Sequence, residues 1–361
     1  MNCRPRVDDF GENSTPILMS MGSCDGVTTE KLIPTLEDRV KYVCHYRNLK
    51  QYLKLWMKLV KIHRILQFEQ TPWLKKYIDF NSEKRKHAKN DFEKDFFKLM
   101  NNAVFGKTME NVRKRVDIKL THNEIKFKKY VARPSFKRFT IFDENLTAVE
   151  NQKVKLTLNK PVNVGQAILD LSKVVMYDFY YGYLKETYGN DLTLLMTDTD
   201  SLLYHVTCDD VYSDMYRDRH KFDLSNYPSE SPYFDQTCKK VPGFFKDECG
   251  GNVLCQFVGL RAKMYSYKYA VDEIGDTTFR EKQIAKGIKK ATIKRDLRHE
   301  MYKECLFKNS QSFCQMATIR SDKHQLYVYC INKAGLCAFD DKRFVLDNGV
   351  ATLAFGHYSI Q

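Results

Sequence analysis

The segment Thr197-Asp198-Thr199-Asp200-Ser201 sets two carboxylates two residues apart inside a mostly apolar run, with Leu192 to Met196 before it and Leu202 to Tyr204 after it. Asp, Thr and Ser satisfy their own backbone at turns, so the pattern predicts two strands joined by a tight acidic turn. Two carboxylates held together at the edge of a buried sheet are costly without a cation. Oxygen-only ligands suit Mg²⁺ or Mn²⁺ rather than zinc. The competing reading is a surface turn that is merely rich in Asp, and this segment alone does not separate the two.

A second group lies upstream. Lys98 and Asn102 stand four apart, and Phe105 and Gly106 follow at seven and eight from Lys98. On a helix all four share one side. A cation suits a phosphate, an amide a polar edge, an aromatic ring a base or sugar, and a glycine admits close approach. The alternative is a solvated face with Phe105 tucked into the core.

The charge balance points to a polyanion. The chain of 361 residues carries Lys+Arg 59 against Asp+Glu 45, a net +14. From Arg39 to Lys137 there are 26 Lys/Arg and 9 Asp/Glu, a local excess of 17 that exceeds the net charge of the whole. Such a field favours nucleic acid before membrane. Aromatics such as Tyr46, Trp56, Trp73, Phe80, Phe92 and Phe96 are interleaved with these charges, which a basic surface serving solubility alone does not explain. The 11 cysteines include no CxxC pair and no Cys/His cluster with ligand spacing, so zinc is not expected and a reduced intracellular compartment is. No apolar run approaches the length of a membrane span, and no membrane partner is expected.

The elements that position these residues follow from periodicity and capping. Residues 1–35 read as a poorly ordered lead-in. A helix begins near Asn48 and runs through Leu59, and Ile62 to Phe68 reads as a strand. A further helix runs from Trp73 to about Lys86, after Thr71-Pro72. Asn90 followed by Glu93 caps a helix expected to reach about Arg115, with Phe92, Phe96, Leu99 and Ala103 as its apolar stripe. Residues 116–160 turn basic and strand-like and read as an inserted lobe. Gln166 to Leu184 reads as a helix packing on a sheet through Ile168, Leu171, Val175 and Phe179. Residues 208–250 are loop-rich. Val253 to Leu260 and Lys263 to Tyr269 read as strands, and Lys282 to Met301 as a strongly basic helix.

Three motifs together resemble a known family. Lys98-Leu99-Met100-Asn101-Asn102-Ala103-Val104-Phe105-Gly106 resembles the Lys-x-x-x-Asn-Ser-x-Tyr-Gly motif of family B DNA polymerases. Asp198-Thr199-Asp200-Ser201 resembles their Tyr-x-Asp-Thr-Asp-Ser motif, and Lys263-Met264-Tyr265 their Lys-x-Tyr motif. Each is weak alone, but all three occur in the family's order. The wider sequence is similar to the protein-primed branch found in viruses, linear plasmids and self-synthesising DNA transposons, over residues 36–361.

The resemblance implies an α+β chain of right-hand polymerase architecture: a partial palm with an antiparallel sheet and packed helices (36–70 and 161–262), helical fingers (71–115), an inserted hairpin lobe (116–160) and a thumb with the C-terminal region (263–361). It implies DNA-directed DNA polymerase activity, with DNA template-primer and dNTP as partners and a terminal protein as a further candidate primer. Asp200 would be the principal ligand of Mg²⁺ or Mn²⁺ and Asp198 would support it, both as catalytic residues. Lys98, Asn102, Phe105 and Gly106 would face the nucleotide, and Lys263 and Tyr265 the primer terminus. The basic 282–301 segment would be a thumb helix on the DNA backbone. A DNA substrate and clusters such as Lys84-Arg85-Lys86 make the nucleus the candidate compartment.

The pattern also departs from the family. Met196 and Phe105 stand where Tyr is usual, and Ala103 where Ser is usual. The third metal carboxylate, in an Asp-x-x-Ser-Leu-Tyr-Pro motif upstream of the fingers, has no counterpart; neither Asp8-Asp9-Phe10 nor Asp25-Gly26 resembles it. The expectation is therefore the C-terminal half of a polymerase. The alternative is a non-catalytic DNA-binding remnant of a mobile-element or viral polymerase.

Overall fold

The computed structural model describes residues 33–273, 276–322 and 325–360, and ahead of them the backbone of two paired dipeptides, β1 (Met21–Gly22) and β2 (Thr28–Thr29). The lead-in expected over residues 1–35 lies almost wholly outside the described residues, as do Asp8, Asp9 and Asp25. Helices α1 (Tyr46–Lys54), α2 (Lys75–Lys86) and α3 (Asp91–Thr108) come first. Strand β3 (Asp117–Thr121), helix α4 (Glu124–Val131) and strands β4 (Phe136–Asp143) and β5 (Leu146–Asn151) follow. Helix α5 (Val162–Phe179) widens into a π-turn over Tyr180–Leu184 and closes with α6 (Lys185–Tyr188). Strands β6 (Leu192–Asp198) and β7 (Ser201–Val206) precede helix α7 (Val211–Arg217). After the expected loop-rich stretch come β8 (Leu254–Arg261), β9 (Met264–Glu273) and β10 (Asp276–Ala285). Helices α8 (Lys290–Asp296) and α9 (His299–Lys308), a ribbon of β11 (Ser312–Asp322) and β12 (Gln325–Leu336), and the short pair β13 (Phe344–Val345) and β14 (Thr352–Leu353) complete the chain. Helices and antiparallel sheets in separate blocks make it an α+β protein.

Two compact units divide the chain. The first joins Met1–Arg64, Leu171–Met316 and Asn332–Gln361. Its core gathers Met176, Tyr177 and Phe179 of α5, Tyr180 and Leu184 of the π-turn, Leu192 of β6, Met215 of α7 and Phe222, Leu224 and Tyr227 of the loop after it. The Phe179 ring stacks on Phe245 with centroids 3.6 Å apart. Gln51 of α1 ties in by donating from Nε2 to Asp178 Oδ1 at 2.6 Å and to the Val174 carbonyl at 2.9 Å. Of the positions expected to pack α5, only Phe179 is buried, while Ile168 and Val175 are exposed. The neighbouring stripe of Met176, Tyr177 and Tyr180 is larger and removes more apolar surface from water, so it turns inward instead.

The same unit holds the sheet β10-β9-β8. Helix α9 lies on one face, where Ser266 Oγ and His299 Nδ1 are 3.0 Å apart and Tyr302 donates its hydroxyl to the Ile284 carbonyl at 3.1 Å. The basic helix expected over 282–301 is therefore corrected. Lys282 to Ala285 is the end of β10, paired with Met264 to Tyr267, and two short helices follow. Gly287, at φ +90°, breaks the chain between strand and helix in a conformation that suits glycine. Helix periodicity in a basic segment lost to hairpin pairing with β9, the strand that directly precedes it.

The second unit joins Ile65–Asp170 and Ala317–Ile331. Helices α2 and α3 form a hairpin, with the Tyr77 hydroxyl donating to the Met100 carbonyl at 3.3 Å. Asn90 caps α3 through Oδ1, which accepts the Glu93 N–H at 2.9 Å, and the Glu93 carboxylate accepts the Lys89 N–H at 2.9 Å. The helix stops at Thr108 rather than Arg115. There the Thr108 hydroxyl donates to the Phe105 carbonyl, and Asn111 caps a separate 3₁₀ turn through the Arg113 N–H. Glu110, held by Lys107, Arg115 and Lys160, pins the loop between them. The expected apolar stripe of α3 faces outward: Phe92 is 78% and Leu99 62% exposed. Ile62 to Phe68 has no strand partner among the described residues and forms no regular element. The lobe at 116–160 is a β3-β5-β4 sheet with α4 beside it, the Phe127 ring meeting Phe139 edge-on at 5.2 Å.

Candidate functional site

The acidic turn forms as expected from its sequence. Strands β6 and β7 pair antiparallel, Asp198 opposite Ser201, and Thr199-Asp200 is the two-residue turn. Thr199 takes the left-handed φ of +60° and donates its hydroxyl to Asp198 Oδ1 at 3.2 Å, while Ser201 Oγ donates to the Asp198 carbonyl at 3.2 Å. The turn caps a two-stranded ribbon rather than the edge of a buried sheet, so Asp198 is half-buried and Asp200 exposed. Desolvation therefore presses less strongly for a cation than the sequence implied.

The turn already has a cation. Lys263 Nζ donates to both Asp198 oxygens, at 2.7 and 2.9 Å. The hydrogen bond to Asp198 raises the Lys263 pKa, so the ammonium stays charged at neutral pH. Lys263 is itself at the tip of a hairpin, in the two-residue turn Ala262-Lys263 between β8 and β9, and its φ of +59° is left-handed. Its carbonyl accepts the Lys286 N–H at 3.0 Å. Two hairpin tips 65 residues apart are thus joined by one ion pair.

Behind Lys263, Tyr265 and Tyr267 lie on one face of β9, with Phe257 of β8 and Lys282 of β10 beside them through the strand register. Burial raises the Tyr265 phenol pKa. Lys282 Nζ lies 5.6 Å from the Tyr267 ring centre. Burial opposes its charge, but Tyr267, then Glu248 and Tyr265, leave its pKa raised. Sequence reasoning missed Lys282 beside the Lys-x-Tyr segment, because only the β9–β10 register puts it there.

Lys98, Asn102, Phe105 and Gly106 belong to the second unit and share one side of α3. Lys98, Asn102 and Gly106 are exposed and Phe105 is half-buried. A Cβ added at Gly106 would meet nothing within 4 Å, so the chain's own packing does not require glycine there. The unit also carries a cavity of about 280 Å³ lined in part by Arg115, Lys153 and Lys155.

A two-metal centre does not fit the described residues. Both oxygens of Asp198 are engaged by Lys263, which leaves Asp200 as the one carboxylate of the turn without a hydrogen-bond donor among the described residues. Two Mg²⁺ ions need more anionic oxygen than that. Among the described residues, no three His, Cys, Asp or Glu side chains are grouped to hold a metal. No described helix is long and apolar enough to cross a membrane. Comparison with models of known protein families, with curated proteins and with solved structures found no match.

Proposed function

We propose that this chain carries the DNA- and nucleotide-facing parts of a family B DNA polymerase of the protein-primed branch, with an incomplete metal centre. The observation that carries the reading is the ordered set Lys98–Gly106, Asp198–Ser201 and Lys263–Tyr265, of which the second and third meet in space through the 2.7 Å Lys263–Asp198 contact. The reaction of that class is template-directed transfer of a nucleotide from a dNTP to a primer 3′-hydroxyl. In this reading Lys98 neutralises the incoming triphosphate, and Asn102 and Phe105 line the nascent base pair. Tyr265 and, once released from Asp198, Lys263 hold the primer end. The partial palm is 36–70 and 161–262, the fingers are 71–115 with α2 and α3, the lobe is 116–160 with β3–β5 and α4, and the thumb with the C-terminal region is 263–361. The partners are a DNA template-primer and dNTP, with a terminal protein as primer, and the compartment is the nucleus.

The missing carboxylate favours a second reading, a DNA-binding remnant without catalysis. Exposed Trp73, Phe80, Phe92 and Phe96 among the lysines of α2 and α3 suit both readings, since charge binds the backbone and rings stack on bases. Fluorescence anisotropy with primer-template DNA is expected to give binding that weakens steeply with salt, and extension assays with Mg²⁺ or Mn²⁺ little or no product. Robust extension abolished by Asp200→Ala would overturn the remnant reading. Salt-insensitive or absent DNA binding would overturn both.

A further inference from the structure

Helix α1 ends at Lys54, and Trp56, at φ +71°, turns the chain out of it. The exit is fixed, since the Met57 N–H donates to the Tyr52 carbonyl at 3.0 Å and Gln51 ties the helix to α5. Residues 57–72 then hold no helix, strand, turn or bend. Among the described residues, no backbone hydrogen bond engages residues 58–71. The stretch runs on without folding back, as a strand does, yet lacks the ladder that a strand forms. Its side chains are equally unpartnered. Trp56, Met57, Leu59, Val60 and Ile62 are all exposed, Trp56 at 91% and Val60 at 93%. Ile65, Leu66 and Phe68 continue the run at the start of the second unit. Single exposed aliphatics are ordinary, but a contiguous run of them marks an interaction surface. Lys58, Lys61 and Arg64 are interleaved, and residues 56–68 contain no carboxylate.

We propose that residues 57–64, all in the first unit, are a strand without its neighbour: a docking edge for an extended, acidic segment of another polypeptide. The partner's backbone completes the ladder, its aliphatic side chains cover Val60 and Ile62, and its carboxylates meet Lys58, Lys61 and Arg64. The unpaired backbone and the charge select this occupant. Lipid hydrocarbon would leave the N–H and C=O groups unsatisfied. DNA stacks on rings, as α2 and α3 offer, and gains little from Leu59, Val60 and Ile62. A second copy would set Lys58, Lys61 and Arg64 against the same three cations, and like charges across a strand pair are destabilising. The docking edge rests on neither reading of the function.

The test titrates the full chain into a fluorescein-labelled peptide of about ten residues alternating Val and Glu, one strand in length, and follows anisotropy. Wild type should bind this peptide about tenfold more tightly than the matching Val-Lys peptide. Lys58→Glu, Lys61→Glu and Arg64→Glu together should invert that order. Successive N–H groups point to opposite edges of a strand, so Leu59→Pro and Val60→Pro are made separately, and one of them removes a ladder donor. That variant should lose most of the binding. Circular dichroism should stay unchanged in both, because no hydrogen bond among the described residues uses either N–H. Binding retained by both proline variants would be charge attraction alone and would overturn the docking edge, as would equal affinity for the two peptides or no binding to either. Dimerisation, or capture by phosphatidylserine vesicles, that both proline variants abolish would give the edge to a second copy or a membrane and overturn the acidic partner.

Discussion

The first unit encloses an aromatic and aliphatic core of Tyr180, Leu184, Leu192 and Leu224, each 2% exposed or less. Among the described residues of the second unit only Val112 and Val149 are buried apolar side chains, while Trp73, Phe80, Phe92, Phe96 and Leu99 stand exposed among lysines. A packed core anchors the strands that carry the acidic turn. The helices of the second unit carry caps and local ion pairs instead, and they leave rings and charge exposed. Burial thus separates a region built to position residues from one built to present them.

Several substitutions probe that contrast. Leu184→Ala, in the first core, should lower stability by about 2–5 kcal/mol in denaturant unfolding, whereas Phe92→Ser on α3 should change it by about 0.5 kcal/mol or less. A comparable loss from both would erase the contrast. Phe92→Ser together with Phe96→Ser should nonetheless weaken single-stranded DNA binding, by about 1–3 kcal/mol for each base stack lost, and unchanged anisotropy titrations would remove these rings from the interface.

Acid should act on the first unit at His299, which is fully buried against Ser266 with its Nε2 unpartnered among the described residues. Burial lowers its pKa, assisted by Lys268 and Lys303 and opposed by Glu281 and Glu300. The folded state therefore binds fewer protons than the unfolded state, whose imidazole titrates near about 6.5. Stability is full above that pH and falls as pH drops below it toward the lowered folded value. Unfolding midpoints across that window should show the loss, and His299→Gln should flatten it.

Smaller effects belong to the α3 cap and the Lys263–Asp198 pair. Asn90→Ala removes the α3 cap and should cost about 1 kcal/mol, visible as lost helicity on heating. Lys263→Met should cost less than about 1 kcal/mol, because the pair is partly exposed. A larger loss would make the pair a main support of the acidic turn.

The features that depend on near neighbours were legible in the sequence. Asn90 with Glu93 marks the start of α3 and the Thr-Asp-Thr-Asp-Ser run marks the β6–β7 turn, because capping and turn chemistry act within a few residues. Partners far along the chain were not legible. The sequence shows Lys263 and Asp198 but does not pair them. Helical periodicity in 282–301 also hid the end of β10, although its partner β9 is the neighbouring strand. The inward face of α5 and the outward stripe of α3 were likewise decided in the fold, since which apolar side is buried depends on what packs there. Local hydrogen bonds are written in adjacent residues, whereas burial and long-range ion pairs exist only once the chain has brought distant residues together.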